Sequence, residues 1–141
     1  MKALLGLTLL TLSLSSFAKS ADPLKFVPGG EVLREKKNEY DIKTPNATVV
    51  EVELTSMGNL DEAEGDSIEK DVFTPGEGQK TLAQIAKIIK DQGYTLKGDW
   101  NYDSQILGGK VYEVDALKDG KEWELTLDAS NGSIIKEEMD D

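Results

Sequence analysis

Apolar and polar residues alternate along three segments in the second half of the chain, 94–102, 111–116 and 122–128. Such alternation predicts β-strands with one face in the protein core and the other in water. Asp119-Gly120 and Asn131-Gly132 follow two of these segments and are strong signals for tight turns. The pattern therefore predicts an antiparallel meander, in which each strand pairs with the next one along the chain.

The meander is predicted to close with a short strand at residues 133–136, which carries Ile134. The tail that follows, residues 137–141, consists of four acidic residues and Met139. Because so little apolar surface is available to hold this tail, we expect it to fray.

One helix is predicted before this meander. Thr81 and Gln84 have the spacing of a capping box, and Gly93 suits the position just after a helix. The residues between these signals form one apolar stripe at helical spacing, made of Leu82, Ile85, Ala86, Ile88 and Ile89. A helix is therefore predicted over about residues 82–92. Since helix and sheet each have one apolar face, we predict an α+β fold with the helix packed on one face of the meander.

The first half of the chain contains a second, weaker meander pattern. Residues 48–55 alternate as a strand, residues 39–43 place Tyr40 and Ile42 on one face, and residues 31–36 form a weak strand or a short helix. Three stretches align between the halves, namely 40–46 with 112–120, 50–55 with 123–128, and 58–60 with 132–134. The alignment predicts two tandem halves, the first without a helix. Chance similarity between amphipathic hairpins is the alternative.

The N-terminal residues have the pattern of a secretory signal peptide. Lys2 supplies the positive charge, residues 3–14 form an apolar stretch too short to span a membrane, and small residues precede Ala18. We expect residues 1–18 to be removed by cleavage after Ala18, which predicts a periplasmic or secreted protein. An amphipathic or core helix at this end is the alternative.

The rest of the chain divides into four regions by composition. Residues 19–30 hold two prolines and a glycine pair, and they are predicted to be a linker. Residues 31–66 make up the first, degenerate half, and residues 81–138 make up the second. Between them, residues 67–80 are predicted to be an acidic connecting loop. The acids over residues 61–71 are expected to be solvated.

Composition changes this picture mainly by what it excludes. The chain has no cysteine and no histidine, so disulfides, thiolate or imidazole metal sites, and catalysis by either residue are excluded. Asp and Glu number 27 against 16 Lys and Arg, which gives a net charge of −11. This acidity argues against binding to nucleic acids or anionic membranes, because both require clustered positive charge.

The sequence offers no catalytic signature. Carboxylate pairs such as Glu122 and Glu124 lie on a strand face that should be solvated, where carboxyl pKa values stay ordinary. Asp99, Asn101 and Asp103 match the first ligand positions of a calcium loop, but its later positions do not match. We therefore predict no enzymatic activity, no metal site and no cofactor.

Residues 81–138 resemble a PepSY domain. The resemblance rests on a helix followed by a meander and on three stretches, Tyr112-Glu-Val114, Asp119-Gly120 and the run from Trp123 through Asp128-Ala129 and Gly132 to Ile134. The family occurs in propeptides of secreted metallopeptidases and as small exported proteins, and its fold resembles that of β-lactamase inhibitor proteins. The resemblance implies a module that regulates or inhibits peptidases or envelope regulators, and it implies no catalytic residue.

These observations predict an exported, non-enzymatic module that binds another envelope or secreted protein, such as a peptidase or a sensor ectodomain. The predicted partner-binding residues are the acids on one sheet face, Glu113, Asp115, Glu122 and Glu124, which would attract a basic partner. An uncovered edge strand that pairs with an extended peptide is a second way to bind. The alternative function is a small-ligand or calcium-binding envelope protein, with the acids of residues 61–71 as weak calcium ligands. The sequence leaves the oligomeric state open.

Overall fold

The structure, a computed structural model, describes residues 22–105 and 108–140. Eight antiparallel strands form one sheet, in which each strand pairs with its neighbour along the chain. The strands are β1 (Glu31–Lys36), β2 (Glu39–Lys43), β3 (Val49–Leu54), β4 (Leu60–Gly65), β5 (Thr95–Ser104), β6 (Lys110–Lys118), β7 (Lys121–Asp128) and β8 (Ile134–Asp140). The helix α1 spans Leu82–Asp91, and two 3-10 helices span Pro23–Lys25 and Ile68–Lys70. The predicted α+β fold with an antiparallel meander is confirmed.

Two features of the N-terminal end fall outside this description. The predicted signal peptide, residues 1–18, and its cleavage after Ala18 lie outside the described residues.

Across residues 22–105 and 108–140, no helix has the length and apolar character needed to cross a membrane.

Helix α1 forms where the capping signals predict it. The Thr81 side chain accepts a hydrogen bond from the Gln84 backbone N–H, and the Gln84 side chain accepts one from the Thr81 backbone N–H. The buried residues of the helix, Leu82, Ile85, Ala86 and Ile89, are the predicted apolar stripe apart from half-buried Ile88. Gly132, in the turn after β7, leaves room for Ile88, because a Cβ there would collide with it.

The aromatic side chains of the second half form the centre of the core. Trp100 and Tyr102 on β5 and Tyr112 on β6 are almost completely buried, on the same side of the sheet as α1. Tyr112 donates a hydrogen bond from its hydroxyl to the Lys80 carbonyl oxygen at 2.6 Å, which holds the chain before α1 against the sheet. We call this side of the sheet the inner face and the opposite side the outer face.

Two segments that the sequence predicts as a linker and a loop help to cover the inner face. Within residues 19–30, Val27 is 0 % exposed and belongs to the core. Within residues 67–80, Ile68 is also fully buried, and Phe73 packs against the aromatic rings of β5. Their apolar residues are few and irregularly spaced, so no periodic pattern reveals that they dock on the sheet.

Strand β4 is a correction to the prediction of a solvated acidic region over residues 61–71. Leu60–Gly65 is a strand near the middle of the sheet, between β3 and β5. Ala63 is buried and lies opposite Tyr102, while the acids beside it point to the outer face. A strand with a single small core residue gives almost no apolar alternation, which explains why the sequence pattern misses it.

Strand β8 corrects the prediction that the C-terminal tail frays. The strand runs over Ile134–Asp140 and pairs with β7 as far as the opposed residues Asp140 and Glu122. The Tyr94 hydroxyl donates a hydrogen bond to the Glu137 carboxylate. The tail is therefore held by main-chain pairing with β7 and by this hydrogen bond rather than by apolar contacts.

Candidate functional site

The outer face of the sheet is densely acidic. Each strand alternates core residues with residues that point outward, and most of the outward positions are Asp or Glu. From β2 to β8 these acids are Glu39, Asp41, Glu51, Glu53, Glu62, Glu64, Asp99, Asp103, Glu113, Asp115, Glu122, Glu124, Glu138 and Asp140. The covering segments and α1 all lie on the inner face, so none of the described elements covers the acids.

Acidic residues lie directly opposite one another on neighbouring strands of this face. Glu51 on β3 has Asp41 on one side and Glu64 on the other. Asp115 on β6 lies opposite Glu124 on β7. Like charges in directly opposed positions of an antiparallel pair destabilise the sheet. The acidic outer face therefore lowers the stability of the fold that carries it.

The four acids predicted to bind a partner lie together on this face. Glu113 and Asp115 are on β6, Glu122 and Glu124 are on β7, and Asp115 and Glu124 are direct neighbours. Glu122 is engaged by Lys97, with its Oε2 2.6 Å from the lysine Nζ. The structure brings the four side chains together and leaves Glu122 and Glu124 exposed.

The prediction of ordinary pKa values on this face needs correction for two of the four acids. Partial burial raises the pKa of Glu113, and the charge of Glu124 adds to the effect. Partial burial also raises the pKa of Asp115, with a further contribution from the Asp99 carboxylate. Both side chains are half-buried between neighbouring strands, which the alternation pattern alone does not show.

The sequence reasoning missed the acids of the first half. Glu51, Glu53, Glu62 and Glu64 line a depression of about 110 Å³ on the outer face, with Asn101 at its edge. The alternation of residues 49–54 could have revealed two of them, because it places Glu51 and Glu53 on the face of the strand that points away from the core. The other two stand on β4, which the sequence did not reveal as a strand.

The first-half acids also perturb one another. A hydrogen bond between the Glu51 and Glu64 carboxyl groups raises the pKa of Glu51, and burial and nearby acids raise it further. Burial, followed by the charges of neighbouring acids, raises the pKa of Glu53 and of Glu62. The depression therefore holds protons more readily than separate carboxyl groups in water would.

A second depression, of about 280 Å³, continues the first toward β7. It shares Glu64 and Asn101 with the first depression and adds Asp99, Asp115 and Glu124 to its lining. Asn101 lines both depressions, and its Oδ1 atom is buried and has no hydrogen-bond donor within the described part of the chain. Together the two depressions form an acidic surface that crosses the sheet from β2 to β7.

One group of acids is close enough to share a cation. Among the described residues, Glu53, Asp61 and Glu62 alone bring three carboxylates within 4.8 Å of one another. The Lys110 Nζ atom already lies 4.0 Å from Asp61 Oδ1 and donates to the Asp61 carbonyl oxygen at 2.8 Å. The string of Asp99, Asn101 and Asp103, whose calcium-loop match fails in the sequence, runs along β5 and forms no such group.

Comparison with known proteins finds one family model and a solved structure that are similar to this chain. No curated protein matches the sequence significantly. One solved structure similar to this chain is that of a candidate lipoprotein from Clostridium difficile 630, with 16% sequence identity and a TM-score of 0.42. The similarity covers 79% of this chain and 84% of that one.

A family model described as "Peptidase propeptide and YPEB domain" matches residues 79–138. The match begins just before α1 and ends within β8, so it includes the helix and the four strands that follow it. The resemblance predicted from the sequence is confirmed. Residues 79–138 of this chain therefore match the PepSY family model.

Proposed function

We propose that this chain is an exported, non-catalytic module whose acidic outer face binds a positively charged protein. The observation that carries the proposal is the uncovered outer face itself, with its acids in directly opposed positions. Charge of this density would attract a basic surface over a distance and orient it before contact. The predicted residues Glu113, Asp115, Glu122 and Glu124 are part of this face, and the first-half acids extend it.

The arrangement of the acids favours binding over a purely solubilising role. Solubility requires net charge, which dispersed acids would supply without placing like charges opposite one another. Here Glu51 lies between Asp41 and Glu64, at a cost in stability. Stability is commonly given up at sites where function requires a strained or repulsive arrangement.

The family match supports the class of partner. The family model is described as "Peptidase propeptide and YPEB domain". A propeptide acts by binding its peptidase rather than by catalysis. We propose a peptidase or a sensor ectodomain as the partner of this chain, with inhibition or regulation as the outcome. The signal-peptide pattern of residues 1–18 supports a periplasmic or secreted location, where such partners occur.

A crosslinking capture experiment tests this proposal. Residues 19–141 serve as bait in an envelope extract of the source cell, beside the variant E122K/E124K. We expect a peptidase or sensor to be captured by the wild type and to be lost with the variant, because two reversals shift the charge of the binding face by four units in the positive direction.

The matched control is E69K/E77K, which makes the same change of charge off the outer face. Both of its residues lie between β4 and α1 and are exposed. The control should capture the partner as the wild type does. Equal loss with both variants would mean that net charge alone attracts the partner, and equal capture by all three folded proteins would refute a role for the acidic face.

Calcium binding is the second candidate function, because Glu53, Asp61 and Glu62 lie within reach of one ion. A specific site would raise the melting temperature in a saturable way as calcium is added. Under our proposal, calcium and magnesium at equal ionic strength should shift the melting temperature equally, as general screening does. A saturable shift with calcium alone, removed by E62Q, would favour the second candidate.

We also propose that the two four-stranded halves are related copies. In each half the last hairpin carries an extra residue at the same place, Asp61 in β4 and Ile135 in β8. These positions follow Leu60 and Ile134, which the sequence alignment pairs. The shared irregularity supports a repeat because a bulge at the same place is not required by alternation alone.

A further inference from the structure

Strand β8 is a free edge of the sheet. Its residues pair with β7 on one side, and no described strand pairs with it on the other. An edge strand presents a row of unpaired backbone N–H and C=O groups, which can pair with a strand of another molecule. Over Ile134–Asp140 the seven residues of β8 are long enough for such pairing.

The edge also exposes two large apolar side chains. Ile135 is 51 % exposed and Met139 is 47 % exposed, although most large apolar residues of the described chain are buried. Four charged side chains accompany them on the strand, one basic and three acidic. Exposed apolar groups on an unpaired strand often mark a contact with another protein chain.

The sequence of β8 is complementary to itself in antiparallel orientation. If two copies pair about a two-fold axis at Glu137, Lys136 of each copy lies opposite Glu138 of the other. In the same register, Ile135 of each copy lies opposite Met139 of the other. Opposite charges and apolar pairs in opposed positions each stabilise an antiparallel pair. A two-fold contact makes every such pair twice.

We propose that this chain forms a symmetric dimer in which the β8 strands of two copies pair antiparallel about Glu137. The two sheets then join edge to edge into one. The contact places the exposed apolar side chains against each other and uses the backbone groups that β8 leaves unpaired. The outer faces of both copies stay uncovered, so the dimer presents two acidic surfaces to partners.

Charge sets the strength of this contact and its response to salt. Each β8 carries Lys136 against Glu137, Glu138 and Asp140, so two acidic strands approach each other. The hydrogen bond from Tyr94 to Glu137 partly offsets the repulsion at the two-fold axis. Because salt screens the remaining repulsion, dimerisation should strengthen as salt is added. The basic partner proposed above should bind more weakly under the same change, which separates the two contacts.

Sedimentation equilibrium of residues 19–141 tests the dimer. The protein concentration should run from about 10 µM to about 1 mM, because a contact as small as one strand pair binds weakly. We expect a monomer–dimer equilibrium that shifts toward dimer in higher salt. K136E places Glu opposite Glu and adds negative charge to both strands, so it should weaken dimerisation at least about tenfold. E138K places Lys opposite Lys but also removes the net negative charge of β8, so it should weaken dimerisation less than K136E does.

The double variant K136E/E138K is the decisive control. It restores an opposite charge across the two-fold axis and leaves the net charge unchanged, so it should dimerise as the wild type does. Lys136 and Glu138 have side chains about 60 % and 59 % exposed, and unchanged melting curves would show that folding tolerates the changes. A wild type that stays monomeric throughout, or a double variant that fails to regain dimerisation, would overturn the proposal.

Discussion

Truncation of Phe73 to alanine is expected to lower the free energy of unfolding by about 3–5 kcal/mol. Phe73 is 3 % exposed, and its ring centroid lies 5.2 Å from that of Trp100 and 5.1 Å from that of Tyr102. It sits in the segment between β4 and α1, which the sequence pattern describes as a loop. The variant would leave a cavity over the most aromatic part of the core.

Urea unfolding of the wild type and F73A measures this effect directly. The control is V72A, which truncates the half-buried neighbour of Phe73 and should cost no more than about 1 kcal/mol. A loss below about 1 kcal/mol in F73A would contradict the structure, because it would mean that the segment does not cover the inner face.

Neutralising three outer-face acids is expected to stabilise the protein at neutral pH. The variant E51Q/E53Q/E62Q removes the like-charged contacts among β2, β3 and β4. Each such contact costs a few tenths to about 1 kcal/mol on a solvent-facing sheet, so we expect a gain of about 1–2 kcal/mol in total. The same variant should bind a basic partner less well.

The pH dependence of stability gives this prediction a second readout. The pKa of Glu51 in the folded protein lies above its ordinary value of 4.5, because the Glu64 carboxyl group and burial favour the protonated form. The folded protein therefore binds protons more tightly than the unfolded chain. The stabilisation that Glu51 contributes is fully present below about pH 4.5 and is lost as pH rises through the pKa of Glu51 in the folded protein. Glu53 and Glu62 act in the same direction.

Asp128 opposes this trend at low pH. Hydrogen bonds from Ser130 lower the pKa of Asp128, so its contribution to stability is present above its ordinary value of 3.8 and is lost as pH falls further. We therefore expect the melting temperature of the wild type to rise by a few degrees as pH falls from about 7.5 to about 4.5, and to fall again below about pH 3.8.

In E51Q/E53Q/E62Q the rise between neutral and mildly acidic pH should be smaller, and the part that remains comes from Glu113 and Asp115, whose pKa values are also raised. Thermal melts at a series of pH values and constant ionic strength measure both curves. The control is E69Q/E77Q, which removes two negative charges away from the outer face. A wild type that loses stability steadily from pH 7.5 to pH 5, or a control that changes the curve as much as the triple variant, would contradict the account of the outer face.

The parts of the fold that the sequence predicted well are those with dense local signals. The capping box at Thr81, the apolar stripe of α1 and the alternation around Tyr112 each point to one structure, and each is found. Strand β4 was missed because Ala63 is its one buried residue. The start of β8 was predicted as a strand, but its C-terminal part was expected to fray, because main-chain pairing rather than apolar contact holds it. Neither feature leaves a periodic pattern in the sequence.

The second-half part of the candidate site was predicted from the sequence, and the first-half part was not. Glu113 and Glu124 stand on strands with clear alternation, so their common face could be read from the sequence. Their continuation through Glu51 to Glu64 depends on the pairing of β3 with β4 and of β4 with β5. Those pairings bring together residues from both halves of the chain, and residue spacing does not encode them.

The central claim is that the outer face binds a basic protein, and a binding isotherm tests it most directly. The captured partner, once purified, would be titrated with wild-type residues 19–141, with E122K/E124K and with E69K/E77K, at low and at high salt. We predict at least about tenfold weaker binding for the outer-face variant, wild-type affinity for the control, and weaker binding in high salt. Equal affinities for all three proteins, or affinity independent of salt, would contradict the claim.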